Sequence, residues 1–158
     1  MLPEVSVVYL RRGGAEGEVL LGEKLTGLGA GRLVGPGGKL EPGETPVDAA
    51  VREVREEIGV EVAPADLRPV GALDYHFPDR PAWSQRSHVF VADRWRGRPV
   101  ESVELRPAWF ALDAVPYDRM WDDARRWLPA VLRGATVDAS CVFAADLATV
   151  SRWEPRPA

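Results

Sequence analysis

The 158-residue chain has few of the features that define several large classes of protein. It contains a single cysteine, Cys141, so no disulfide framework can form within it, which is typical of proteins from a reducing compartment. Its 24 acidic residues outnumber its 20 basic residues, so no basic excess is available to neutralise the phosphates of a long nucleic acid. We therefore expect a cytoplasmic protein whose partners do not include a nucleic-acid polymer.

Long hydrophobic runs are also missing. No apolar stretch approaches the roughly 20 residues that a membrane-spanning helix needs, so we expect no membrane partner. The N-terminal segment MLPEVSVVYLRR is interrupted by Glu4, has no basic leader and no cleavage-like site, and is better interpreted as a strand than as a signal peptide. The remaining composition, 46% hydrophobic and 28% charged, is that of a globular domain with a substantial core.

Strand-like and helix-like patterns alternate along the chain. A hairpin is predicted from residues 5–10 and 18–25, which flank a glycine-containing turn. Helices are predicted at 46–58 and at about 123–133, the second ending at Gly134. Further β-rich segments lie between the helices, which predicts an α/β protein layered around a mixed sheet. We expect a single domain over residues 1–153 and a frayed tail at 154–158.

The stretch GGKLEPGETPVDAAVREVREEIGV, residues 37–60, has an unusual distribution of charge. Thr45 is suited to cap a helix that Gly59 would end. On a wheel of about 100° per residue, one arc of this helix is apolar and another, expected to face solvent, is acidic. The acidic arc contains Glu53, Glu56 and Glu57.

Three carboxylates within one helical turn repel each other unless a positive charge lies between them. A hard divalent cation such as Mg²⁺ takes oxygen ligands and commonly bridges carboxylates to substrate phosphates. Arg52 lies beside Glu56 on the wheel and can orient the cluster, and the carbonyls of the GPGGK loop can add a ligand. This arrangement is suited to metal-assisted hydrolysis of a phosphoanhydride. The alternative is a solvated helix face with Arg–Glu pairs.

The spacing of the stretch favours the metal site over the solvated face. It follows the pattern G-x5-E-x7-R-E-U-x-E-E-x-G-U, where U is aliphatic, and such a match is expected by chance on the order of once in 10⁸ chains of this size. The matching residues are Gly38, Glu44, Arg52, Glu53, Val54, Glu56, Glu57, Gly59 and Val60. This segment resembles the Nudix box, and the chain is similar to the Nudix hydrolases, which cleave a nucleoside diphosphate linked to another group.

The resemblance implies an α/β/α sandwich that uses Mg²⁺ or Mn²⁺. It implies that Glu53 or Glu57 helps to generate the attacking hydroxide, without deciding between them. It also implies that Glu44 and Arg52 support the catalytic helix. The implied metal ligands are Glu53, Glu56, Glu57 and the Gly37 carbonyl, with Gly38 and Lys39 at the substrate.

Residues 19–134 are also similar to the Nudix hydrolases that act on oxidised purine nucleoside triphosphates such as 8-oxo-dGTP. That resemblance implies that Lys24 lines the pocket, Glu104 adds a metal ligand or base, Trp121 stacks on the purine and Asp123 reads its edge. The residues alone allow other interpretations: an exposed strand end for Lys24, a core position for Trp121 and a helix cap for Asp123.

The pocket departs from that subfamily at three positions. Val34 replaces an amide that reads the base, and Leu28 replaces an aromatic residue. An ungapped match puts Ala124 in place of a second aspartate, whereas a one-residue deletion would restore the pair as Asp122 and Asp123. We expect a pyrophosphohydrolase of a purine nucleoside triphosphate, acting as a monomer or homodimer. The alternatives are hydrolysis of another nucleoside diphosphate derivative and a non-catalytic nucleotide-binding domain.

Overall fold

The computed structural model describes residues 1–157, and in that range the chain forms nine β-strands and two α-helices. The helices are α1, Pro46–Ile58, and α2, Ala124–Val131. The strands are β1 Glu4–Arg12, β2 Glu18–Lys24, β3 Leu33–Val34, β4 Gly37–Lys39, β5 Arg68–His76, β6 Gln85–Ala92, β7 Leu105–Ala111, β8 Val137–Phe143 and β9 Val150–Pro155.

The strands form one mixed sheet, as the sequence predicted. Its main path runs β3-β2-β1-β6-β5-β8-β9, with β4 paired to β1 and β7 paired to β2. Strand β1 is parallel to β6 and antiparallel to β4, and it joins β2 only near the predicted hairpin turn. Strand β5 is antiparallel to β6 and parallel to β8. Strand β1 is therefore central, and it carries the short β4 against α1.

The two helices cover opposite faces of this sheet. Side chains of a strand alternate between its faces, and on β1 the buried Val8 packs with the core of α1 while its neighbour Tyr9 packs with the core of α2. Phe90 and Val91 divide in the same way on β6. The α1 core contains Val54 and the α2 core contains Trp127, among others. The predicted α/β/α layering is confirmed.

Helix α1 has the predicted bounds because its ends are specified locally. The Thr45 hydroxyl accepts a hydrogen bond from the Asp48 N–H at 3.1 Å, and the Asp48 carboxylate accepts one from the Thr45 N–H at 3.0 Å. Pro46 occupies the first turn, where it leaves no hydrogen bond unmade. At the other end Gly59 adopts a φ of 70°, a left-handed conformation that glycine tolerates without strain.

The C-terminal region departs from the sequence prediction. Strands β8 and β9 were not predicted, and α2 is shorter than the predicted 123–133. The expected frayed tail at 154–158 is wrong for Glu154 and Pro155, which lie in β9, and for Arg156, whose side chain binds Asp74 and Asp138. Residue 158 lies outside the described residues. Local patterning cannot predict these contacts, because their partners are distant in sequence.

Among the residues that the structure describes, the longest helix is α1, with 13 residues. Within the described range, 1–157, no helix has the length and apolar character needed to cross a membrane.

Val54 provides a test of the two-sided character of α1. It is fully buried in the α1 core, so Val54→Asp should lower the free energy of unfolding by about 3 kcal/mol or more, because it buries an unpaired charge. Arg55→Asp is the matched control on the exposed neighbouring position and should cost no more than about 1 kcal/mol. Chemical denaturation measures both, and equal losses would contradict the assignment of faces.

Candidate active site

Two glycines of β4 bring the backbone against α1. A Cβ atom on Gly38 would lie 2.5 Å from the carboxyl carbon of Glu53, and one on Gly37 would lie 2.0 Å from the Ser6 carbonyl oxygen. A side chain at position 37 would collide with the backbone of β1, and one at position 38 would displace the Glu53 carboxylate. The absence of a side chain at Gly38 therefore lets the Glu53 carboxylate lie directly on the strand.

Arg52 connects the carboxylates of this region. Its guanidinium donates two hydrogen bonds to Glu44, at 2.7 and 2.8 Å, and one to the Lys39 carbonyl at 3.0 Å. It also donates to Glu53 at 2.8 Å and to Glu56 at 3.2 Å. The pair with Arg52 lowers the pKa of Glu44 to about 2. These contacts agree with the orienting role expected of Arg52 and Glu44, which stays a prediction.

Glu57 is the most buried acid of the cluster. Only 9% of the residue is exposed, so the expectation that the whole acidic arc faces solvent is wrong at this position. Its Oε2 accepts a hydrogen bond from the Gly37 N–H at 3.3 Å. The pKa of Glu57 is raised to about 7, mainly by burial. The charges of Glu53 and Glu104 also raise this pKa, whereas the Gly37 hydrogen bond and the charge of Lys24 lower it.

The other carboxylates differ in exposure but act on one another. The Glu53 side chain is 12% exposed, and its pKa is raised by burial first, with smaller contributions from Glu56 and Glu104. Glu104 is exposed and precedes β7, where its carbonyl accepts a hydrogen bond from the Leu25 N–H at 2.9 Å. Glu56 is the most exposed of the helical set, at 56%. Four acids therefore concentrate negative charge beside β4.

The donor set fits a hard cation, although the side chains are not arranged as a ready metal site. Within residues 1–157, no three acidic, histidine or cysteine side chains are positioned to hold a metal ion together. Arg52 accounts for part of this, since its guanidinium is hydrogen-bonded to both Glu53 and Glu56. Buried carboxylate oxygens with raised pKa values are groups whose ionised form a divalent cation would stabilise. The ligand roles of Gly37 and the glutamates stay predictions.

The loop after β2 joins the carboxylates to a second group of side chains. Lys24, at the end of β2, is half-buried and carries the charge that lowers the pKa of Glu57. The Gly31 N–H donates to the Lys24 carbonyl at 2.7 Å and fixes the base of the loop. Gly29 touches Trp121, since a Cβ there would lie 3.0 Å from the indole nitrogen. Lys39, in contrast, is exposed.

Trp121 belongs to an aromatic cluster rather than to the main core. Its ring centroid lies 5.6 Å from that of Phe143, 5.9 Å from Phe77 and 6.4 Å from Trp83, each in an edge-to-face arrangement. The Arg32 guanidinium lies 4.3 Å from the centroid of the Trp121 ring. Trp121 is half-buried, and the Arg32 guanidinium covers one face of its ring.

Asp123 is buried and incompletely paired. Its Oδ2 accepts hydrogen bonds from the Tyr75 hydroxyl at 2.7 Å and from the Trp127 indole N–H at 2.8 Å, while its Oδ1 has no hydrogen-bond partner among residues 1–157. Burial raises the pKa of Asp123 to about 6. The interpretation as a simple helix cap is wrong, because the side chain makes no capping hydrogen bond to α2. An unpaired buried oxygen is costly unless a ligand or water completes it.

The structure also clarifies the three departures from the subfamily. Asp122 accepts a hydrogen bond from the Val150 N–H at 2.9 Å, so its carboxylate is bound to β9 and is not paired with Asp123. Ala124 is buried in the α2 core and Val34 packs against the α1 core. Leu28 is half-buried in the loop after β2. In the segment 122–124, Asp123 is thus the residue with a buried carboxylate oxygen that lacks a hydrogen-bond partner among the described residues.

Sequence reasoning missed the residues that surround Trp121 and Asp123. Arg32, Phe143 and the neighbouring pair Tyr75 and Phe77 come from three separate parts of the chain, and no spacing rule relates these parts. Phe143 lies on β8, one of the two strands that were not predicted. The available signal was the aromatic character of Tyr75, Phe77 and Phe143. Aromatic side chains occur in hydrophobic cores as well as in binding sites, so this signal does not distinguish the two.

The remaining candidates lie outside this region. Cys141 is fully buried, as expected of a small core residue. His76 and His88 are half-buried strand residues, and His88 pairs with Glu4 at 2.7 Å. Neither histidine contacts the carboxylate cluster.

Comparison with known proteins gives a consistent family. The NUDIX domain model matches residues 2–131. The chain is similar to the oxidized purine nucleoside triphosphate hydrolase of Mus musculus, with 44% identity over 115 residues, covering 73% of this chain and 72% of that protein. It is 42% identical over 117 residues to the protein of the same name from Danio rerio, covering 74% and 73% of the two chains.

A solved structure extends the similarity over nearly the whole chain. The MutT protein from Bacillus halodurans superposes with a TM-score of 0.79, at 23% identity, covering 99% of this chain and 100% of that one. At this identity the similarity concerns the fold, including the mixed sheet and the two helices that flank it.

The buried Glu57 gives a prediction for the metal-free protein. Its pKa is about 7 in the folded chain against 4.5 in the unfolded one, so its contribution to stability is fully present below pH 4.5 and is lost as the pH rises through 7. In excess EDTA, Glu57→Gln should therefore be more stable than the wild type above pH 7, by up to about 3 kcal/mol, with no gain at pH 4.

Urea denaturation at pH 4, 6 and 8 measures this difference. Glu56→Gln is the control, since Glu56 is exposed and its removal should change stability little at any of these values. If Glu57→Gln lowered the free energy of unfolding at pH 8, the ionised Glu57 carboxylate would not destabilise the metal-free fold, contrary to the prediction.

Proposed function

Since the chain belongs to the Nudix family, we propose that it is a divalent-metal-dependent pyrophosphohydrolase of purine nucleoside triphosphates, with an oxidised purine as the favoured base. The products are the nucleoside monophosphate and pyrophosphate. The observation that carries the proposal is the concentration of Glu53, Glu56, Glu57 and Glu104 beside the two glycines of β4, Gly37 and Gly38. The names of the mouse and zebrafish relatives support the choice of base.

Nudix hydrolases generally use divalent metals, and we assign Mg²⁺ or Mn²⁺ to this chain. Glu53, Glu56, Glu57, Glu104 and the Gly37 carbonyl would hold the ion. When bound, it supplies positive charge that neutralises the phosphates and lowers the pKa of a coordinated water.

The protein's own groups orient the reaction. Arg52 fixes Glu53 and Glu56 through its hydrogen bonds and is itself anchored by Glu44, so the carboxylates have defined positions. Glu53 or Glu57, both with raised pKa values, accepts the proton of the attacking water. Positive charge for the phosphates comes from two nearby lysines. Lys24 acts at the pocket, while Lys39 and the backbone of Gly38 border the phosphate side.

The aromatic cluster supplies a place for the base. Trp121 provides a stacking surface, and the Oδ1 of Asp123, which is buried and unpaired within residues 1–157, would accept a hydrogen bond from an N–H of the purine edge in the nucleotide complex. Lys24 and Arg32 lie side by side at the base of the loop, since the Lys24 N–H donates to the Arg32 carbonyl at 2.9 Å. Arg32 and Gly29 contact Trp121, so the phosphate and base sites would adjoin.

A second candidate is hydrolysis of another nucleoside diphosphate derivative, such as a nucleotide sugar. The altered positions Val34, Leu28 and Ala124 favour it, because none of them offers a polar group to the base. A non-catalytic nucleotide-binding domain is disfavoured because every position of the Nudix box is retained. A cytoplasmic location and a monomeric or homodimeric state complete the proposal.

The reaction is tested with a nucleotide panel that includes 8-oxo-dGTP, dGTP and a nucleoside diphosphate sugar, with and without excess EDTA. We expect turnover only with Mg²⁺ or Mn²⁺, and the monophosphate with pyrophosphate as first products. Glu57→Gln should lower kcat by about 10² to 10⁴ without loss of the fold. Full turnover in EDTA, or diphosphate as the first product, would refute the assignment.

The base pocket is tested with two variants that leave the carboxylates intact. Trp121→Ala should weaken binding of 8-oxo-dGTP by about 1 to 3 kcal/mol, mainly in KM, because stacking is lost. Asp123→Asn keeps an acceptor for Tyr75 and Trp127 but can turn the free oxygen into a donor, so it should lower kcat/KM for 8-oxo-dGTP about tenfold or more.

The control for both variants is Trp95→Leu, which removes an indole packed against the α1 core, whereas Asp123 is bonded to Trp127 of the α2 core. This control should leave the ratio of kcat/KM for 8-oxo-dGTP to dGTP unchanged. If Trp121→Ala and Asp123→Asn also left that ratio and both KM values unchanged, the base would bind elsewhere.

A further inference from the structure

A cavity of about 410 Å³ lies on the side of α1 away from the carboxylates. Val51 and Arg55 of α1 line it, and on a helical wheel they lie about 160° and 200° from Glu53. Val62 and Ala63 contribute apolar wall, and Trp95 closes one side. Its volume falls within the range of small-molecule sites, and the candidate active site uses none of these residues.

The walls of the cavity are held together by the backbone. The Glu61 N–H donates to the Arg96 carbonyl at 3.0 Å, and the Arg96 N–H donates to the Glu61 carbonyl at 2.8 Å. These two hydrogen bonds form an isolated antiparallel bridge between two segments that lie outside the nine strands. The turn after β6 is thus fixed against the segment after α1, and a ligand would meet a preformed opening.

Trp95 presents an aromatic surface to this opening. Its ring stacks on Trp109, with centroids 5.7 Å apart and planes at 24°, and the Arg12 guanidinium lies 3.9 Å from the Trp109 centroid. Trp109 does not line the cavity, whereas Trp95 does. The Arg12–Trp109–Trp95 stack therefore ends at the cavity with the indole of Trp95, which is half-buried and lines the opening.

Three guanidinium groups around the cavity are uncommitted. Within residues 1–157, the side chains of Arg55, Arg94 and Arg96 make no hydrogen bond or ion pair, whereas Arg11, Arg52, Arg86 and Arg156 are each fixed by carboxylates. Glu61 and Asp66 border the same cavity and are likewise free of side-chain partners in that range. Five charged groups thus surround the opening without pairing, with arginines in excess although the chain carries a net charge of −4.

We propose that this cavity is a second nucleotide site, which binds a free nucleoside monophosphate. The base stacks on Trp95, and the phosphate is held by the guanidinium groups, whose planar donors match phosphate oxygens. Glu61 or Asp66 accepts hydrogen bonds from ribose hydroxyls or from an amino group of the base. The two acids also disfavour a nucleic-acid polymer, whose additional phosphates they would repel.

The site is tested by calorimetric titration of AMP into the full chain in excess EDTA, a condition that removes the metal on which the proposed active site depends. We expect one AMP to bind, and the double variant Arg94→Gln/Arg96→Gln should weaken it about tenfold or more, because charge-assisted hydrogen bonds are lost. Adenosine and inorganic phosphate should each bind more weakly than AMP. Adding AMP should shift the indole N–H resonance of Trp95, assigned with Trp95→Phe.

The control is Arg98→Gln/Arg126→Gln, which removes two exposed arginines that do not line the cavity and should leave AMP binding unchanged. Both double variants should hydrolyse 8-oxo-dGTP with Mg²⁺ like the wild type, so failure here is distinct from failure of the proposed reaction. The proposal is overturned if AMP does not bind in EDTA, if the Arg94/Arg96 variant binds it normally, or if only Trp121 responds.

Discussion

The burial of the Glu57 carboxylate against β4 is the interaction on which the candidate site depends. Gly37 donates its N–H to Glu57 at 3.3 Å, and Gly38 has no side chain in the space that the Glu53 carboxylate occupies. The resulting low exposure raises the pKa of Glu57 to about 7, and neighbouring acids add to the shift. A folded chain keeps such a group at a cost in stability, which a bound cation would offset.

The rest of the fold supports this constraint. Strand β1 pairs with both β4 and β6. The glycines of β4 therefore lie beside the central strand whose two faces contribute to the cores of α1 and α2. Arg52 holds Glu53 and Glu56 in place and is fixed by Glu44, so the orientation of the acids does not rely on a single contact. The loop after β2 connects Lys24, beside the carboxylates, to Trp121, whose ring contacts Gly29 and Arg32.

The sequence predicted the parts of this arrangement that are local. The bounds of α1 follow from Thr45, Pro46 and Gly59, and the box motif identifies the acids by spacing alone. Burial of Glu57 could not be predicted, because the helical wheel describes a helix without its neighbours and β4 covers part of the acidic arc.

The pairing of strands that are distant in sequence could not be predicted from sequence patterns either. Strand β8 pairs in parallel with β5 from more than 60 residues away, and it brings Phe143 to Trp121. The free oxygen of Asp123 depends on Tyr75 and Trp127 occupying the other one. Such contacts are set by the tertiary structure, so a motif can identify Asp123 as a candidate but cannot show which of its oxygens remains available.

The most direct test of the cation site is to locate a paramagnetic ion on the protein by NMR. Mn²⁺ added at substoichiometric amounts should broaden the amide resonances of Gly37, Gly38 and the residues around Glu53 and Glu57 first, and Mg²⁺ should reverse the effect by competition. Broadening centred elsewhere, or an effect that persists equally in Glu57→Gln, would contradict the assignment of the α1 carboxylates as the metal site.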